Sequence, residues 1–249
     1  MKYVLGIDVG GTKIAAGLVD KNYGVRRVYE LSTSQSDLLK QIIKLIGSYK
    51  DFDAIGLAMP GVVRPNGFVN KLPNLKNFMA TNLKKFLEVQ FKVPVHVMND
   101  AKAFALAEAT IGVGKLYPTV VGVILGTGIG TGLVKHKKVY VGKNPVAGEI
   151  GHTVIAPNLT LEQLMHKTRQ FKSDQQAGEI VTRLFSMIIP AAHPDIIIFG
   201  GGRTHYRGIN QIIKQSLYLA YPKDNKTVVR VSKLKHAGII GAALPLLRR

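Results

Sequence analysis

The chain has 249 residues, of which 46% are hydrophobic, and it contains neither Cys nor Trp. The absence of Cys excludes disulfides, thiolate zinc sites, iron–sulfur clusters and any cysteine nucleophile. Thirty-four Lys and Arg against fifteen Asp and Glu give a formal net charge of +19, which suits anionic ligands and makes every acid beside a glycine turn worth inspecting.

No secretory leader is read in the first eight residues, where Gly6 and Asp8 interrupt any apolar run. Apolar stretches such as 196–199 fall far short of the roughly 18 residues of a membrane helix. A soluble cytoplasmic protein is expected. Residues 4–7 read as a buried strand, turned by Gly10 and Gly11 into a second strand over 13–19. A glycine turn joining two strands makes a hairpin rather than a strand-to-helix crossover. Apolar positions at helical spacing predict a helix over 36–49 behind a Ser36–Asp37 cap. A strand over 54–59 stops at Pro60-Gly61, a short helix spans 82–91, and a strand over 93–98 ends at Asn99-Asp100. An alanine-rich helix follows over 101–110.

The second half repeats that order. A strand over 119–125, a glycine run at 126–132 read as a turn, and return strands over 132–134 and 138–141 come first. Then follow a helix over 179–192, a buried strand over 195–199 and a sharp turn at 200–202. A helix over 208–218, a strand over 227–231 and a last helix of small residues over 237–247 complete the chain. The repetition predicts an α/β protein of two related lobes with a cleft between them. Residues 1–98, with 237–249 packing back, form the N-terminal lobe, and 99–236 the C-terminal lobe. The segment 203–249 is the most basic, with ten Lys and Arg against the single acid Asp224.

Three glycine turns could bring backbone N–H groups onto phosphate oxygens: 8–13, 125–132 and 200–202. Thr12, Thr127 and Thr131 add hydroxyls and Lys13 a cation. Neither standard phosphate fingerprint fits these turns, whose joint occurrence points to a nucleotide cleft. Asn99-Asp100 can cap a helix, or place Asp100 as a general base at a strand end; both readings stand. Glu149 and His152, three residues apart, suit hydrogen bonds to a polyol, whereas a metal there would need further ligands.

Asp8-x-Gly10-Gly11-Thr12-Lys13, Met59-Pro60-Gly61, Leu72-Pro73-Asn74-Leu75, Pro94-Val95-x-Val97-x-Asn99-Asp100-Ala101, the run 125–132, Gly148-Glu149-Ile150-Gly151-His152 and Ala237-Gly238-x-Ile240-Gly241-Ala242-Ala243 follow one another in order. Together they resemble the ROK family of sugar kinases over nearly the whole chain. The resemblance implies a two-lobed actin/hexokinase-like ATPase fold with a central cleft. It implies Asp100 as the base that activates a sugar hydroxyl, with Asn74, Asn99, Glu149 and His152 holding the other hydroxyls. It matches Asp8, Gly10, Gly11, Thr12 and Lys13 to one phosphate loop, and Gly126, Thr127, Gly128, Gly130 and Thr131 to another. Gly200, Gly201 and Gly202 then lie near the adenosine of ATP, and Asp8 orients hydrated magnesium. Many family members carry a cysteine-rich zinc loop after Gly-His-Thr. Here 153–158 runs directly to Glu162 without a cysteine, so no zinc site is expected. Glu162 is read either as a sugar ligand or as an exposed glutamate in a helical first turn.

The activity so implied is transfer of phosphate from ATP to a hexose, glucose or a near relative, by a homodimer that binds neither membrane nor specific nucleic acid. Two alternatives accompany it. Inorganic polyphosphate could be the donor, attracted by the basic surface. A sugar-responsive regulator is the other, although its helix-turn-helix domain finds no room before the first strand.

Overall fold

A computed structural model describes residues 2–34, 36–70, 80–143, 145–166, 171, 173–221 and 226–247. In chain order the elements begin β1 (Val4–Val9), β2 (Lys13–Val19), β3 (Val25–Ser32), α1 (Leu38–Gly47) and β4 (Ala54–Met59). A small pair follows, β5 (Phe68–Val69) and β6 (Thr81–Asn82), then α2 (Leu83–Phe91), β7 (Val95–Asn99) and α3 (Asp100–Thr110). The chain continues with β8 (Thr119–Leu125), β9 (Ile129–Lys135), β10 (Lys138–Val139), β11 (Val154–Ala156), β12 (Leu159–Thr160), α4 (Leu161–His166) and α5 (Asp174–Ala192). It ends with β13 (Ile196–Gly200), α6 (Ile209–Ala220), β14 (Val228–Val231) and α7 (Ala237–Leu247).

Two compact units result. Met1–Ala107 with Lys235–Arg249 form the first, and Glu108–Leu234 the second. The sheet of the first runs β3-β2-β1-β4-β7 and that of the second β10-β9-β8-β13-β14. In each, three consecutive antiparallel strands are followed by two parallel ones. The two halves thus share one topology, as the repeated order of elements predicts.

Within the first unit, strand alternation divides the residues of β1 between two faces. Leu5, Ile7 and Val9 pack with α1 and α2 through Ile42, Ile46, Leu83 and Leu87. Val4 faces α7 with Ile239, Ala243 and Leu246. On that second face the helix backbone lies almost on the sheet. A Cβ on Gly6 would overlap Ile239 O, and one on Gly56 would overlap Ala242 O. Gly241 meets the carbonyl of Ala103 in the same way. This close approach is why α7 is built from small residues, and it ties the start of α3 into the first unit. In the second unit Val123, Leu125, Ile197 and Phe199 bury one sheet face under α5 and α6.

The strand β3 is not among the sequence expectations. It is a polar edge strand, nearly all of it exposed, so alternation gives no core face to detect. Arg27 adopts φ 50 where the β2–β3 register shifts, a bulge that interrupts the edge. Of the glycine run, only residues 126–128 form the turn; β9 begins at Ile129, because Ile129 and Thr131 are inward positions of a buried strand. The helix read as beginning at Glu179 begins at Asp174, capped by the Ser173 side chain accepting from the Gln176 N–H at 3.2 Å. No side-chain cap bond comes from Asp37, which pairs with Lys40 instead.

Candidate active site

In the first unit β1 delivers Asp8 to the face shared with α7, two residues along from Gly6. Burial pushes its carboxyl up to about 6, while the nearby Lys13 cation pulls it down. The glycine turn after β1 is closed by the Gly10 N–H donating to Lys13 O at 2.8 Å. Thr33, at the end of β3, braces this loop twice. Its N–H donates to Thr12 O at 2.9 Å and its hydroxyl to Gly10 O at 2.8 Å. Lys13 pairs with Glu30 at 2.8 Å across the exposed sheet edge, which holds the Glu30 carboxyl below its ordinary range.

At the other end of that sheet β7 runs into α3 through Asn99 and Asp100. Asn99 is buried, and its amide is occupied at both ends. Oδ1 accepts from the Lys102 N–H at 3.0 Å, and Nδ2 donates to Gly61 O at 3.0 Å. Asn99 is therefore the cap of α3. Asp100 accepts from the Ala101 N–H at 2.8 Å and stays half-buried at the first helical position. The sequence left capping and catalysis as alternatives for this pair; the structure gives the cap to Asn99. Asn74 lies within 71–79, outside the described residues.

In the second unit Glu149, His152 and Glu162 come together although ten residues separate the last two. His152 lies 3.9 Å from Glu149 Oε2 by Nε2, and 3.8 Å from Glu162 Oε2 by Nδ1. These are ion-pair distances beyond hydrogen-bond reach. Glu162 sits in the first turn of α4 and leans onto the glycine turn: a Cβ on Gly128 would overlap its Oε1. Among the described residues no group of three or more His, Asp or Glu is arranged to hold a metal ion.

The turn at 126–128 is closed by the Gly126 N–H donating to Gly128 O at 3.0 Å, with Thr127 exposed at its tip. Gly130 and Thr131 belong to β9 rather than to that turn. Thr131 is buried and its hydroxyl donates to Gly148 O, which leaves it no proton for a phosphate oxygen. Its evident role is to tie β9 to the segment carrying Glu149. Gly200 ends β13, and Gly201, at φ 91, brings the turn against β8, where a Cβ would lie 2.6 Å from Leu125 O. Gly202 opens a short helical turn through His205.

Thr33 and Arg203 lie outside the sequence motifs, Arg203 directly after the third glycine turn, whereas Gly238 lies within the motif over 237–243. None of these positions shows by itself what it touches. Arg203 is 7% exposed, and Nε donates to Gly126 O at 2.8 Å.

The ROK family model matches residues 4–161. The N-acetylgalactosamine kinase AgaK of Shewanella sp. (strain ANA-3) is 37% identical over 164 residues, 62% of this chain and 52% of its own length. The chain thus spans about half the length of the first curated relatives it matches. The N-acetyl-D-glucosamine kinase of Vibrio cholerae serotype O1 is 28% identical over an alignment covering 96% of this chain and 97% of that protein. A ROK family glucokinase from Streptomyces griseus, solved in complex with glucose and AMPPNP, superposes with a TM-score of 0.85 at 23% identity, covering 98% of each chain. The fold is accordingly the duplicated α/β fold of the actin/hexokinase-like ATPases, as the sequence resemblance implies. With more than half its length matched by the family model, this chain belongs to the ROK family.

Proposed function

We propose that the protein transfers the terminal phosphoryl group of ATP to a hydroxyl of a hexose or N-acetylhexosamine, with Asp100 as general base. The observation that carries this reading is the division of labour at the head of α3. Asn99 caps the helix by accepting from the Lys102 N–H, and Asp100 follows it at the first helical position, held by the Ala101 N–H. A carboxylate fixed at a strand-to-helix junction can accept the proton of an attacking hydroxyl. Glu149, His152 and Glu162 form a compact acceptor–donor set suited to the vicinal hydroxyls of a sugar.

Phosphoryl transfer asks mainly for positioning and charge neutralisation. The braced loop at 10–13, Lys13 and the turn at 126–128 are the groups assigned to the donor phosphates. Magnesium, when bound with the nucleotide, neutralises charge on the transferring group. Asp8 fits it: a single carboxylate, ionised near pH 7, suits an ion that keeps most of its waters. The names of the relatives span N-acetylgalactosamine, N-acetylglucosamine and glucose, so the acceptor is assigned to this class as a whole.

An assay of sugar phosphate formation over glucose, mannose, N-acetylglucosamine and N-acetylgalactosamine, run with ATP and with polyphosphate, tests the reading. Magnesium-dependent turnover of at least one sugar with ATP is expected. Turnover with polyphosphate alone overturns the donor assignment, and no turnover with either overturns the kinase.

A further inference from the structure

Most of the bases that give this chain its charge lie at the surface, but Arg203 is buried directly behind the 200–202 turn. Burial lowers the pKa of its guanidinium, which at neutral pH remains charged. Besides the bond from Nε to Gly126 O at 2.8 Å, Nη2 reaches Met165 O at 3.4 Å. The guanidinium carbon also lies 5.3 Å from the centroid of the Phe171 ring. Two donor contacts and the aromatic ring beside the guanidinium hold the fork in place.

That geometry has a consequence for the turn at 126–128. No described peptide bond is cis. In a planar trans peptide the C=O and the following N–H point in opposite directions. A Gly126 carbonyl drawn inward onto Arg203 therefore turns the Thr127 N–H outward, at an exposed position. Nη2 at the same time holds the last turn of α4, whose first turn carries Glu162 against Gly128. One buried side chain thus sets the turn from beneath and keeps it in register with the helix beside it.

We propose that Arg203 is a positioning residue for the phosphate donor, orienting the 126–127 peptide so that the Thr127 N–H meets a phosphate oxygen. This rests on the kinase reading above. Its fixed positive charge adds to the attraction, but charge alone does not set a peptide plane. A lysine supplies the charge without the fork.

The test compares wild type, Arg203→Met and Arg203→Lys by kcat and KM for ATP, by calorimetric affinity for ADP, and by sugar affinity without nucleotide. Arg203→Met is expected to raise the ATP KM and weaken ADP binding about tenfold, as loss of one charge-assisted hydrogen bond implies, with sugar affinity falling clearly less than ADP affinity. Arg203→Lys is expected to recover only part of that loss. Full recovery by lysine, an unchanged ATP KM in the methionine variant, or a parallel collapse of sugar and ADP affinity each overturns the proposal. Should Arg203→Met not fold, Phe171→Leu, which removes the ring beside the guanidinium, is expected to weaken ADP binding several-fold; unchanged binding there also overturns it. A wild type that binds ADP but phosphorylates no sugar sinks the kinase reading alone, and the variants then still decide the role of Arg203. A wild type that does not bind ADP sinks both.

Discussion

The carboxylate of Asp8 occupies the space that a side chain on Gly238 would fill, with Oδ2 and Cγ both inside the reach of a Cβ placed there. Strand alternation turns Asp8 toward α7, and Gly238 is the second residue of that helix. Helix N-termini favour anions, whereas burial opposes the charge and holds the carboxyl at a pKa of about 6. The acid assigned to magnesium is thus seated by a residue more than two hundred positions away in the sequence.

Gly238→Ala is expected to push the Asp8 carboxylate out of this seat. With Asp8 assigned to the metal, kcat/KM for ATP should fall on the order of tenfold to a hundredfold, the scale of losing an outer partner of a metal site. Sugar affinity measured without nucleotide should not change. Steady-state kinetics with ATP varied at saturating sugar and magnesium provide the check; wild-type values would mean that the seat is unimportant.

Asp8→Asn should separate stability from activity. The folded-state pKa of about 6 lies above the ordinary aspartate value of 3.8, so the folded protein binds this proton more tightly than the unfolded chain does. The contribution of Asp8 to stability therefore falls as pH rises from about 4 to about 6, and at neutral pH the buried charge costs up to about 3 kcal/mol. Asparagine carries no charge, so the variant should melt higher than wild type at pH 7–8. The difference should vanish near pH 4, and kinase activity should be lost at every pH. Thermal melts from pH 4 to 8 on both proteins measure this directly.

Asp100→Asn should lower kcat on the order of a hundredfold to ten-thousandfold, the range for loss of a general base. Because Asn99 holds the Lys102 N–H, the helix keeps its cap and sugar binding should persist. A variant that retains wild-type turnover would place the base elsewhere.

Thr33→Val keeps the backbone bond to Thr12 but removes the hydroxyl bond to Gly10 O. A loss of about 1 kcal/mol in stability is expected. The ATP KM should rise several-fold, with kcat for the bound complex less affected, because the loop loses one of its two braces. Chemical denaturation and ATP titration of the same preparation give both numbers.

Much of the fold was legible in the sequence because its signals are local. Buried strands such as Ala54–Met59 and Thr119–Leu125 appear as apolar runs that end at glycine or proline. The strand β3 was hidden because an exposed edge strand has no apolar face to display. The site was legible in part. Glu149, His152 and Glu162 were named from the sequence, yet nothing local states that they meet. Thr131 was assigned to phosphate because it lies in a glycine-rich run; the strand that begins at Ile129 buries its hydroxyl against Gly148 instead.

By itself the sequence determined the order of the buried strands and longer helices, the three glycine turns, the duplicated plan and the acids that stand beside those turns. Those features follow from side-chain periodicity and from the backbone freedom of glycine, which act over a few neighbouring residues. Only the tertiary structure decided which of two adjacent residues caps α3, that Gly238 makes room for Asp8, and that Arg203 lies beneath the turn at Gly126. The last pair is separated by 77 residues. A guanidinium finds its carbonyl only after two sheet strands have paired and a core has closed over them, and no local pattern encodes that meeting.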